Sequence, residues 1–284
     1  MERIGVVGAG LMGSEIALVF ALAGKQVLLS DTSRESLERA KHDLERILDK
    51  GVRRGFYAVD AVEPALRRVR TTGSLTDFSD RELVIEAVYE NEAVKAEVFG
   101  VLDGVLPEQC IVASNTSSIS ITALAAGLQP ARRSRFVGTH FFSPVSRMKL
   151  VEVIPGLDTA SGTVEAVMQA CREAGKTPIR VKDVVGFAVN RVLHALLVEA
   201  VRLVEEGVAT PEDIDLACKL GLGHPIGPFE LMDATQNSLS LQVQEILQQA
   251  YGERFQPRPL LRQMVKAGYN GKKAGRGWHR YDAK

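Results

Sequence analysis

The sequence predicts an α/β domain built on a parallel sheet, followed by a second domain made only of helices. Three observations carry that prediction. Strand-like apolar runs alternate with helical patterns through the first part of the chain, glycines cluster at the first strand-to-helix turn, and the strand signal disappears from Gly186 onward. The boundary is expected near Asp183, giving domains over 1–183 and 184–284.

The elements follow in order. A buried strand over 4–7, a helix over 11–23 and a strand over 27–29 make a βαβ unit. A long amphipathic helix follows over 33–50, with Leu37, Ala40, Leu44, Ile47 and Leu48 on one face, and the Gly51 to Gly55 stretch is expected to break it. A second helical stretch over 61–68 and a short strand over 69–72 close this excursion. Strands over 83–88, 111–114 and 136–140 continue the sheet, separated by helices over 91–105 and 119–126. Strands over 150–154 and 179–181 flank a helix over 161–174 that Gly175 stops. In the second domain, Val189, Val192, Leu193, Leu196, Leu197, Ala200, Val201 and Val204 form the stripe of a buried long helix. Thr210-Pro211-Glu212-Asp213 starts another, and two more helices are expected over 228–251 and 259–267.

Composition narrows the function. With 284 residues, 45% hydrophobic and 25% charged, the chain is globular rather than disordered. Lys+Arg and Asp+Glu both number 35, so no overall basic field exists for general nucleic-acid binding. Cys110, Cys171 and Cys218 are odd in number and too widely spaced for a CxxC pair, and no cluster has metal-ligand spacing. No apolar run reaches the roughly 18 to 20 residues of a membrane span. The chain opens on Glu2-Arg3 and runs directly into a strand, without a signal-peptide pattern, so a reducing cytoplasm is the expected compartment.

Gly8-Ala9-Gly10-Leu11-Met12-Gly13 follows the first strand and opens the first helix, the context in which GxGxxG reads as a dinucleotide fingerprint. Gly8 makes the tight turn, Gly10 lets backbone approach a pyrophosphate and Gly13 permits close helix-to-sheet packing, with Leu11 and Met12 beside them at the helix N-terminus. Asp31 closes the second strand, where a carboxylate accepts ribose hydroxyls and repels a 2′-phosphate. NAD is therefore expected over NADP, although Arg34 stands nearby.

Two further clusters fall at strand ends, where open α/β sheets bind ligands. Ser114-Asn115-Thr116-Ser117-Ser118 follows one strand, and Gly138-Thr139-His140-Phe141-Phe142-Ser143-Pro144 puts a histidine at the end of the next. Glu152 lies inside the following strand, and a His with a Glu behind it is a base with an orienting partner. Singly, His140 reads equally as a core histidine, Glu152 as a salt-bridge partner and Ser117 as a helix cap.

SNTSS, HFFxPVxxMKLVEV, DxxGFxVNR and GxxxPxGPFELxD, in this order, resemble the L-3-hydroxyacyl-CoA dehydrogenase family, including its short-chain 3-hydroxybutyryl-CoA members, over nearly the whole chain. The resemblance implies an NAD-binding domain, a helical domain that forms a homodimer, and oxidation of a 3-hydroxyacyl-CoA to the 3-ketoacyl-CoA. It places the catalytic serine at Ser117, the base at His140, the orienting acid at Glu152 and the family's asparagine at Asn190. It implies cofactor contacts at Glu90, Lys95 and Asn115. Ser143 and Arg147 depart from the usual residues of the loop after the histidine, residues 51–58 do not match the usual acyl-CoA-contacting segment, and Asp233 lacks the Gly-Leu-Asp that commonly follows it.

On this reading a hydride leaves C3 of the substrate for NAD while His140 takes the hydroxyl proton and Glu152 stabilises the imidazolium. An imidazole, with an ordinary pKa of about 6.5, suits a reversible step near neutrality. Ser117 and Asn190 would position the substrate oxygens, with Asn190 supplied by the second domain. Two other functions share the fingerprint: a sugar-acid dehydrogenase of gulonate type, and a non-catalytic NAD-binding protein.

Overall fold

Strand β1 (Arg3–Val7) runs into the glycine turn and α1 (Leu11–Leu22), and β2 (Gln26–Ser30) returns parallel to β1 with Ile4 opposite Val27. The helices α2 (Arg34–Arg53) and α3 (Val59–Arg68) then pack back on α1 before β3 (Val69–Thr72) pairs in parallel with β2. The computed structural model describes residues 1–281. It divides into two units, the first from Met1 to Val184 and the second from Val185 on.

Ser33 starts α2 by accepting the Ser36 amide, and the buried face carries Leu37, Ala40, Leu44 and Leu48. Leu44 and Leu48 meet Leu18 of α1, and full burial of each leucine contributes about 1.5–3 kcal/mol. The helix does not break at Gly51 as its composition suggests but continues to Arg53. A Cβ at Gly51 would lie 2.2 Å from the Tyr57 ring, so this glycine serves close packing inside the helix rather than its termination.

The sheet continues through β4 (Leu83–Glu86), α4 (Glu92–Val105), β5 (Ile111–Ser114), α5 (Ile121–Ala125), α6 (Pro130–Arg133), β6 (Phe136–Phe141), β7 (Leu150–Pro155), α7 (Ser161–Glu173) and β8 (Thr177–Arg180). Its order is β3-β2-β1-β4-β5-β6-β7-β8. Strands β4, β5 and β6 are buried throughout, which is why each opens on consecutive apolar residues rather than alternating apolar with polar. The uniformly parallel sheet expected from the alternating pattern is interrupted once, because β7 runs antiparallel to β6. Residues 142–149 contain no helix and are too few for a parallel crossover, so the chain must return in the opposite direction.

The second unit holds α8 (Val189–Glu205), α9 (Pro211–Gly221), α10 (Pro228–Thr235), α11 (Asn237–Tyr251) and α12 (Pro259–Lys266). Leu197, Ala200, Val201, Ile214, Phe229 and Met232 form its core. The single helix expected over 228–251 is two helices, separated at Gln236 where φ is +87°. Hydrogen bonds to the 269–270 turn satisfy the break: Asn237 Nδ2 donates to the Tyr269 backbone carbonyl at 2.8 Å, and the Ser238 amide donates to Asn270 Oδ1 at 2.8 Å. Among the described residues no helix is long and apolar enough to cross a membrane.

Candidate active site

The site is built at the carboxyl ends of β1, β4, β5 and β6. At β1, Gly8 has φ +102°, and a Cβ there would lie 2.6 Å from the Ala87 carbonyl oxygen. A Cβ at Gly13 would come within 1.8 Å of the Gly8 oxygen, so that position admits no other residue without moving the turn. Gly10 differs, since a Cβ there would meet nothing within 4 Å. The protein's own packing thus leaves space beside Gly10, and no side chain caps α1, whose first amides belong to exposed Leu11, partly buried Met12 and Gly13. An uncapped helix N-terminus beside such a space fits a dinucleotide pyrophosphate. Asp31 Oδ2 accepts the Ala9 amide at 2.8 Å, placing the carboxylate at the rim of this turn. Arg34 is engaged elsewhere, donating to Glu38 at 3.1 Å.

At the end of β4, Glu86 is fully buried and accepts from Lys95 Nζ at 2.6 Å, from Ser114 Oγ at 2.6 Å and from the Val88 amide at 2.7 Å. Lys95 is 1% exposed and reaches Glu90 at 3.2 Å with the same ammonium. Glu90 Oε1 in turn accepts from Thr116 Oγ1 at 2.5 Å, from the Ser117 amide at 2.8 Å and from the Ser118 amide at 3.0 Å. Burial would raise the Glu90 pKa, but the Thr116 hydroxyl, the Lys95 charge and the Ser117 amide outweigh it and hold the carboxyl below the usual range. Of the expected cofactor residues, Lys95 and Glu90 therefore form an internal chain of charge that fixes the turn bearing exposed Ser117. Asn115 braces the next strand, its Oδ1 accepting the Phe141 amide at 2.9 Å.

The sequence reading omitted Glu86. Its signal was present: an acid ending the apolar run Leu83-Val84-Ile85 must have a buried partner.

At the end of β6, His140 is 6% exposed, and its Nδ1 lies 2.8 Å from Oε2 of fully buried Glu152. The antiparallel register makes these two residues direct partners across β6 and β7. The Phe142 ring lies 4.5 Å from the imidazole, centroid to centroid. A carboxylate on Nδ1 selects the tautomer that carries the lone pair on Nε2. Ser143 and Arg147 are exposed in the loop beyond. In the second unit, Asn190 is the second residue of α8, and Asp233 accepts the amides of Trp278 and His279, each at 2.9 Å.

Residues 3–184 match the family description "3-hydroxyacyl-CoA dehydrogenase, NAD binding domain" and residues 186–281 match "3-hydroxyacyl-CoA dehydrogenase, C-terminal domain". The chain is 43% identical over 280 residues to a probable 3-hydroxybutyryl-CoA dehydrogenase of Deinococcus radiodurans, covering 98% of this chain and 100% of that one. It is 40% identical over 293 residues to the mitochondrial hydroxyacyl-coenzyme A dehydrogenase of Sus scrofa, covering 99% of this chain and 91% of that one. The crystal structure of (S)-3-hydroxybutyryl-CoA dehydrogenase from Ralstonia eutropha superposes with a TM-score of 0.94 at 40% identity, covering 100% of both chains. From its glycine turn to its C-terminal helices, the chain belongs to the NAD-dependent 3-hydroxyacyl-CoA dehydrogenase family.

Proposed function

We propose that this enzyme interconverts a short-chain L-3-hydroxyacyl-CoA, such as 3-hydroxybutyryl-CoA, with its 3-ketoacyl-CoA, using His140 and Glu152 as the acid–base pair. The observation that carries the reading is the 2.8 Å contact between His140 Nδ1 and a carboxylate with no solvent exposure. Bound NAD supplies the hydride acceptor. As the C3–H bond of the alcohol breaks, His140 takes the hydroxyl proton at Nε2, and positive charge appears on the ring. Glu152 meets that charge across a contact from which water is excluded, where electrostatic stabilisation is strongest. In the reverse direction the same nitrogen returns the proton to the ketone oxygen.

Ser117, on the turn held by Glu90, and Asn190 are assigned to hold the substrate oxygens. Gly8, Gly10, Leu11, Met12, Gly13 and Asp31 are assigned to NAD, with Glu90, Lys95 and Asn115 supporting the nicotinamide end. The proposal extends to a homodimer formed through the helical unit. Leu216, Leu220 and Leu222, which are 51%, 79% and 65% exposed around α9, supply apolar surface suited to a subunit contact. All three cysteines are free thiols, in keeping with a cytoplasmic setting.

The test is spectrophotometric: NADH consumption with acetoacetyl-CoA, set against turnover of a gulonate-type sugar acid with NAD. Turnover of the sugar acid alone would assign the scaffold to that chemistry, and NADH binding without turnover of either would make it a binding protein.

A further inference from the structure

On α1, two residues beyond Gly13, Glu15 is 4% exposed among Ile16, Ala17, Leu18 and Val19, which are all buried. A carboxylate so placed costs desolvation, and an apolar residue would fill the same space without that cost. Its Oε2 accepts the Ser146 amide at 2.7 Å. Around the same residue, Lys176, itself 8% exposed, donates to the carbonyls of Val145 and Met148, and the Tyr57 hydroxyl donates to the Ser146 carbonyl at 3.4 Å. Burial lowers the Lys176 pKa, and the Glu15 charge works against that lowering, so the two groups support one another. Side chains from three separate parts of the chain thereby hold the backbone of one loop.

That loop, residues 142–149, joins the strand of His140 to the strand of Glu152. It also forms one wall of a cleft of about 190 Å³ whose lining includes Glu15, Lys50, Arg54, Tyr57, Ser146 and Arg147. The Arg147 guanidinium lies over the Phe56 ring at 4.9 Å, closing the loop against the turn after α2.

We infer that Glu15, although carried by the dinucleotide helix, is a positioning residue for the substrate side of the reaction, fixing the 142–149 loop through the Ser146 amide. The inference rests on the acyl-CoA reading above. It gives successive turns of α1 different tasks: the glycine turn serves the cofactor, and the buried acid one turn later serves the loop.

The experiment uses the full chain in four forms: wild type, Glu15→Ala, Glu15→Gln and Lys176→Met. Measured on each are the NADH Kd, kcat and KM for acetoacetyl-CoA, and hydrogen exchange of the peptide covering 142–149. Glu15→Ala should raise KM for acetoacetyl-CoA at least fivefold, leave the NADH Kd within twofold and speed exchange in the loop. Glu15→Gln, which keeps an acceptor oxygen for the Ser146 amide, should recover most of both losses, and Lys176→Met should follow Glu15→Ala should the latter fail to fold. The inference is overturned by a variant that loses active protein at unchanged KM, by a parallel rise in the NADH Kd, or by a glutamine variant as impaired as the alanine one. Wild-type protein inert toward acetoacetyl-CoA would sink the acyl-CoA reading instead, while unchanged loop exchange in Glu15→Ala would sink this one.

Discussion

Asp31 and Ala9 are joined by a 2.8 Å hydrogen bond that ties the end of β2 to the glycine turn, while the other oxygen of the same carboxylate accepts the Ser33 amide at 2.9 Å. The acid thus holds the turn in addition to the ribose-binding role proposed for it. Replacing Asp31 by Ser should lower kcat/KM for NADH by about 10- to 100-fold, the range of a lost hydrogen bond to a charged group. The NADPH-to-NADH ratio of kcat/KM should rise at the same time. A wild-type enzyme that already prefers NADPH would contradict the role of this carboxylate.

Changes at the acid–base pair should separate proton transfer from binding. His140→Gln is expected to lower kcat on the order of 10²–10⁴-fold, the usual contribution of general acid–base catalysis, with the NADH Kd unchanged. Glu152→Gln preserves a hydrogen bond at Nδ1 but removes the charge, and should lower kcat at least tenfold. Equal kcat for wild type and Glu152→Gln would assign Glu152 to packing alone.

The arginines near the α2–α3 turn are sorted by the structure. Arg54 and Arg147 line the cleft beside Glu15, whereas Arg53 faces Asp49, Val59 and Glu63 on other surfaces. Charge reversal at Arg54 or Arg147 should raise KM for acetoacetyl-CoA and make it less sensitive to salt, because local cations attract the phosphates of CoA. Arg53→Glu should leave KM unchanged. Identical salt profiles for all three variants and wild type would remove these residues from substrate attraction.

Asn190→Ala should leave the NADH Kd untouched and lower kcat/KM for acetoacetyl-CoA by at least tenfold, about 1.4 kcal/mol of transition-state stabilisation. Fluorescence titration and steady-state kinetics on one preparation decide it. Full activity would return Asn190 to a residue of the α8 start.

His194 on α8 is 5% exposed, its Nδ1 has no hydrogen-bond partner among the described residues, and burial pushes its pKa down to about 4. The unfolded chain, with an ordinary value of about 6.5, binds this proton first, so the stabilisation of the neutral form is complete above pH 6.5 and is lost as pH falls toward 4. The loss is about 3 kcal/mol in all. Thermal unfolding of wild type between pH 7 and 5 should therefore steepen relative to His194→Leu, and parallel curves would show that another group governs acid sensitivity.

Much of this was legible along the chain because it is local. The βαβ unit and its glycines lie within the first 31 residues, where strand, turn, helix and acid keep one another in register. Strand-end positions drew attention to Ser117 and His140 for the same reason. What escaped depends on distant partners. The resemblance implies a cofactor contact for Lys95, yet nothing local shows that Glu86 and Glu90 take its ammonium into the interior. Glu15 meets Ser146, whose amide is far along the sequence. The reversal of β7 escaped because strands buried on both faces carry no periodicity that records their direction. Gln236 escaped because no Pro or Gly marks the break between α10 and α11, and the 269–270 turn that accommodates it is distant in sequence.

The pairing of β6 with β7 also determines which changes of chain length the enzyme can tolerate. His140 faces Glu152, and Thr139 faces Val153, so one residue added or removed inside either strand would turn the carboxylate to the opposite face and present a valine to the imidazole. The loop of residues 142–149 sets no register itself, but its backbone is held by Glu15, Tyr57 and Lys176, so its length is constrained by those contacts instead. His140 and Glu152 are therefore joined as one hairpin, and an insertion within either strand would part the imidazole from the carboxylate.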